Sequence, residues 1–207
     1  MSKRWVSIVS GATLAFATLL NFICSVASYL NAYRVFENDF FAIMGKNIVL
    51  LAITAIAHIL LIIGAFSNKL GLPMILGIGM WTGTILTGTV LDFVSVQDTS
   101  FENFISFAFS SFFSFVVPLL FLVMAVLTKT IKRRVTKIFF VPAIIYFALG
   151  FTSLVIQTLN MPRDFLQMFR SIYVPTAVMV FYTVAYLFLG MFIEGRGIAY
   201  EREKSLQ

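Results

Sequence analysis

The sequence predicts an all-α, polytopic membrane protein: one domain built as a bundle of six transmembrane helices, with both termini in the cytoplasm. Three observations carry this. The 207 residues are 60% hydrophobic and only 12% charged, with a mean hydropathy of +0.97, whereas soluble domains are about half apolar and a quarter charged. Six apolar segments free of Asp, Glu, Lys and Arg are each long enough to cross a hydrocarbon core, which takes roughly 20 helical residues. The basic residues between those segments fall mainly in alternate loops, eleven on one side against four on the other, and such a bias marks the cytoplasmic face.

The first span, 5–29, follows Lys3 and Arg4. Its apolar part is longer than the apolar region of a secretory leader, so it reads as a retained helix. Ser7, Gly11 and Ala15 recur every four residues there, a small-residue face that lets a neighbouring backbone approach. The connector 31–46, "NAYRVFENDFFAIMGK", mixes aromatics with charges and predicts a segment lying flat at the interface. Span two, 47–66, carries His58, the single histidine of the chain, close to its middle.

"SNKLG" is a tight turn into span three, 71–91, where Gly79, Gly83 and Thr87 share one helix face and predict close packing. Asp92 stands at its outer end as an interfacial cap. The polar "VQDTSFEN" leads to span four, 104–127, with a Ser106, Ser110 and Ser114 face before Pro118. The basic "TKTIKRRVTK" leads to span five, 138–157, and "NMPRD" opens a second aromatic and charged connector, 160–171, before span six, 172–193. Pro118, Pro142 and Pro175 all fall within the predicted spans, where each removes a backbone donor and predicts a kink.

What is absent narrows the chemistry. One cysteine, Cys24, excludes an internal disulfide and a multi-cysteine metal site. There is no GxSxG, HExxH or Gly-rich phosphate motif. No acidic side chain lies inside a predicted span to serve a proton relay. No cofactor is expected. The net charge of +6 points to anionic lipid at the loops rather than to nucleic acid. Short loops without an organelle signal lead us to expect a bacterial plasma membrane.

His58 needs partners for both ring nitrogens, so it should face the bundle interior. At similar depth stand Trp81, Ser114, Tyr146 and Tyr182, followed by Thr183. His58, Trp81, Ser114, Tyr146 and Tyr182 are therefore the candidate ligand-binding residues, and His58 with Ser114 the candidate catalytic pair. The competing reading makes His58 a packing residue.

The order "FFAIMGKNIVLL", "MWTGTILTG", "SFVVPLLFL" and "FVPAIIYFALG" resembles the six-helix, androgen-induced and FAR-17a-like membrane protein family. That resemblance spans most of the chain. It implies a six-helix fold and a lipid-facing pocket, and in animal members a lipid-ester hydrolase using an intramembrane Thr and His. Ala42 and Ser114 occupy the matching positions here, so both of the implied catalytic side chains are missing. Three expectations stand side by side. The first is a non-enzymatic protein binding lipid, a small apolar ligand, or a partner helix (another membrane protein or a second copy of the chain). The second is an intramembrane hydrolase using His58. The third is the substrate-binding membrane subunit of a small-solute importer.

Overall fold

The structure, a computed structural model, describes residues 3–95, 101–131, 139–159 and 172–206. These are helical nearly throughout, with no strand among them. Six α-helices are described: α1 Lys3–Phe36, α2 Phe40–Phe66, α3 Leu72–Ser95, α4 Phe101–Ile131, α5 Val141–Leu159 and α6 Val174–Ser205. Three stretches are long and apolar enough to cross a membrane: Arg4–Phe66, which holds the α1–α2 hairpin, Leu72–Val94 and Val174–Tyr200. Two shorter apolar helical stretches, Phe115–Ile131 and Val141–Thr152, accompany them.

Each helix packs on its chain neighbours, and α6 returns to pack along α1, so the six close into a ring. The buried residues lie inside that ring, with Leu14, Leu61, Met74, Ile78, Phe121, Leu189 and Ile193 wholly inaccessible. Large apolar side chains also cover the outside: Phe16, Ile59, Leu76, Val123 and Phe151 are all exposed. A surface of this kind is costly in water and suits a hydrocarbon surround.

The helix ends differ from the expected spans in ways with clear causes. The connector 31–46 is not a separate interfacial segment. α1 runs on to Phe36, a 3-10 turn Glu37–Asp39 reverses the chain, and α2 begins at once with Phe40. Glu37 takes a left-handed backbone, φ 38°, to make the reversal, and the rings of Tyr33, Phe40 and Phe41 pack edge-on across it. The second connector, 160–171, lies outside the described residues.

The turn at "SNKLG" is tight as expected. Ser67 and Asn68 donate backbone N–H groups to the carbonyls of Ile63 and Ala65. Asn68 adopts φ 52°, a conformation asparagine tolerates. Pro142 and Pro175 each occupy the second residue of a helix, where the missing N–H has no helical partner to lose. Only Pro118 lies inside a described helix.

The small-residue faces divide. Ser7 donates its hydroxyl to the Ala65 carbonyl, and a Cβ at Gly11 would sit 3.0 Å from the Phe66 ring, so that face packs α1 on α2. The Gly79–Gly83–Thr87 face does not pack as expected. A Cβ at Gly79 or Gly83 would meet no described residue within 4 Å. The helices meet instead along Met74, Gly77, Ile78 and Trp81, about one residue out of phase. There a Cβ at Gly77 would come 2.8 Å from the Ala57 carbonyl oxygen, and one at Gly64 would come 2.8 Å from Met74 Cβ. The side chains of Ser106, Ser110 and Ser114 lie outside the described residues. Asp92 is paired with Lys46 across the α2–α3 end, so it holds two helices together rather than capping one.

Candidate functional site

Five helices bring an aromatic cluster to the centre of the ring. α2 supplies His58, α3 Trp81, α4 Phe121, α5 Tyr146, and α6 Tyr182 with Tyr186. Tyr182 and Tyr186 reach the cluster together because residues four apart share a helix face. The His58 ring lies 5.3 Å from Trp81 and 5.7 Å from Tyr182, centroid to centroid. Trp81 stacks on Tyr186 at 5.1 Å, and Tyr146 meets Tyr186 edge-on at 4.9 Å. Offset and edge-on pairs of this kind each contribute about 0.5–1.5 kcal/mol beyond their buried area.

His58 is 3% exposed. Its Nδ1 lies 2.8 Å from the Thr54 carbonyl oxygen, one turn earlier on the same helix. A carbonyl only accepts, so Nδ1 carries the hydrogen and Nε2 presents a lone pair. Nε2 is buried with no hydrogen-bond partner among the described residues. The imidazole is thus held by its own helix and by two rings, with no carboxylate against it among the described residues. The described residues contain no group of His, Cys, Asp and Glu that could hold a metal.

Beside the cluster is a half-open cavity of about 1060 Å³. Trp81, Tyr146 and Tyr186 form its inner wall. The C-terminal half of α1 faces them with Asn21, Cys24, Ser25, Ser28 and Asn31, and Leu149, Gly150 and Leu154 with Val174, Pro175, Val178 and Met179 close the sides. Of the residues the sequence singles out, Trp81 and Tyr146 line this cavity. His58 and Tyr182 lie behind the inner wall and do not line it. The Ser114 side chain is outside the described residues.

The Tyr182 phenol lies near Asn21 of α1. It also faces the Thr18 hydroxyl, which falls short of hydrogen-bond geometry and stays unpaired. Ser28 donates to the Cys24 carbonyl at 3.0 Å, so its oxygen can still accept.

The α1 wall is what sequence reasoning missed. Asn21, Ser25 and Ser28 stand at i, i+4 and i+7, a polar stripe on an otherwise apolar helix. That spacing is visible in the sequence, but the Ser7–Gly11–Ala15 face is the more familiar signal on the same helix. Phe121 and Tyr186 carry no comparable mark, since an aromatic in an apolar span has many neighbours open to it.

No family model, curated protein or solved structure matches the chain.

Proposed function

We propose that the chain is a six-span integral membrane protein that binds a lipid or small, largely apolar molecule in the cavity between α1, α5 and α6. The single observation that carries this reading is the cavity itself: enclosed on one side by stacked rings and on the other by a polar stripe inside an apolar bundle. Ligand sites combine a mostly apolar lining with a few placed polar groups, in clefts of about 300–1,000 Å³. A polar stripe that only packed would be covered by a neighbouring helix. Among the described residues this one faces the cavity.

The orientation rests on charge. Eleven basic residues lie on the side of both termini against four on the other, which supports cytoplasmic termini and a plasma-membrane setting. In that orientation the C-terminal half of α1 and the start of α6 point outward, so the cavity belongs to the external half of the bundle.

The hydrolase reading needs a base within reach of a nucleophile at the cavity. His58 does not line the cavity, so its place favours a packing role for it. An importer subunit would use the same cavity and differ in having a partner.

The reading is tested by mass spectrometry of the full chain purified in lipid nanodiscs. A small molecule or lipid retained by the wild type should be lost from Val178→Trp, which fills the cavity from α6. Equal retention by both, or retention by neither, would refute the cavity as a binding site.

A further inference from the structure

A second space lies behind the α5–α6 side of the cavity. It is a groove of about 460 Å³, lined by Phe147, Phe151 and Val155 of α5 and by Thr176 and Val180 of α6. Phe147 is 43% exposed and Phe151 55%, so the groove opens on the outer surface of the bundle. The Thr176 hydroxyl turns back to donate to the Ile172 carbonyl at 2.6 Å, and the other four residues are apolar.

One step of helix phase separates the two spaces. On α5, Tyr146 and Gly150 face the cavity, while Phe147 and Phe151 face the groove. Leu154 and Met179 line both, so the partition is the single seam where α5 meets α6. At that seam Met179 lies on Gly150. A Cβ at residue 150 would overlap the thioether and come 3.6 Å from Met179 Cβ. Met179 is 6% exposed, so the seam is closed, but by an unbranched side chain with three rotatable bonds set against a residue without one.

Polarity divides along the same seam. Asn21, Ser25 and Ser28 stand on the cavity side, and a hydroxyl that donates along its own helix can still accept. A molecule that fills both spaces therefore meets hydrogen-bonding groups at one end and hydrocarbon at the other. Lipid tails are as apolar as the groove, so a chain moves into it from the bilayer at little cost.

We propose that cavity and groove form one site for a single-chain amphiphile. It enters sideways from the bilayer as Met179 swings off Gly150, sets a hydrogen-bonding head in the cavity and leaves its acyl chain in the groove. This rests on the reading of the cavity as a binding site, and it names the ligand class and the route.

A disulfide across the seam tests it. The 3.6 Å between the two Cβ positions is a separation that a disulfide spans, so Gly150→Cys/Met179→Cys can lock Met179's place shut. Cys24→Ser in the same chain removes the sole native thiol. The full-length variant is placed in phosphatidylcholine nanodiscs with a monoacylglycerol that carries a diazirine beside its ester, and irradiated reduced and oxidised.

The reduced protein should carry the probe on Asn21, Ser25 or Ser28, mapped by fragment mass spectrometry. Oxidation should abolish that attachment, and reductant should restore it. Phe22 and Leu30 are exposed on α1 and do not line the cavity, so attachment there should be the same in both states. Equal attachment to the cavity residues in both states would overturn the portal. So would none in either state while Val178→Trp still abolishes retention, which would leave a cavity for another class of molecule. Failure of the cysteine pair to oxidise would show that residues 150 and 179 do not meet, and would overturn it too. No attachment in either state, with retention unaffected by Val178→Trp, would overturn both the proposal and the reading beneath it.

Discussion

The indole of Trp81 lies over the phenol of Tyr186 with their centroids 5.1 Å apart, and through that pair α3 and α6 meet across the centre of the ring. Tyr186 also touches Phe121 and Tyr182, so one side chain ties α4 to α3 and α6. Tyr186→Leu removes these ring contacts, each worth about 0.5–1.5 kcal/mol. It should lower the thermal midpoint by several degrees in detergent at a fixed scan rate. Tyr186→Phe keeps the rings and should stay close to wild type. Equal midpoints for all three proteins would show that the cluster does not hold the bundle.

His58 gives a prediction with an unusual sign. Its Nε2 is a buried acceptor with no partner among the described residues, a cost of about 1–3 kcal/mol carried by the native state. His58→Leu fills a similar volume and removes that cost, so it should be as stable as wild type or more so. Its cavity-dependent retention in nanodiscs should be unchanged, because His58 does not line the cavity. A folded His58→Leu that loses retention would assign the imidazole a direct role.

Glycines on the two faces of α3 should respond in opposite directions. A Cβ at Gly77 meets the α2 backbone at 2.8 Å, so Gly77→Ala forces the helices apart and should cost about 1–3 kcal/mol, as overpacking does. Gly83 meets no described residue within 4 Å, and Gly83→Ala should be neutral or stabilising by up to about 1 kcal/mol. The yield and midpoint of the two variants in detergent decide it, and the same loss in both would place Gly83 at a contact.

These comparisons show where the sequence was informative. The helices and the placing of His58 toward the interior follow from apolar length and from the cost of a buried imidazole, which do not depend on which helix lies beside which. The helix ends at Phe36 and Phe40 do not follow, because a three-residue reversal with a left-handed Glu37 leaves no glycine or proline to mark it. Pro142 and Pro175 were legible as residues but not as helix starts, since an apolar run gives no sign of where its first turn begins. The choice between Gly77 and Gly83 depends on the phase of α3 against α2. Both spacings exist in "GIGMWTGTILTG", and only the packed structure selects one.

The orientation is tested by reporter fusions. Those after Lys69, within 129–137 and at the C-terminus should read cytoplasmic, and one at Asp98 should read external, as the basic bias requires. A cytoplasmic signal at Asp98 would break the six-span alternation.

Access to Cys24 tests the account's central claim, an open cavity within the bundle, most directly. Cys24 is the sole cysteine, sits on the α1 wall of the cavity, and reacts with a maleimide only where water can support the thiolate. With N-ethylmaleimide on intact cells, Cys24 should label in the native protein. Labelling only after denaturation would mean that the cavity is closed or packed and would contradict the account.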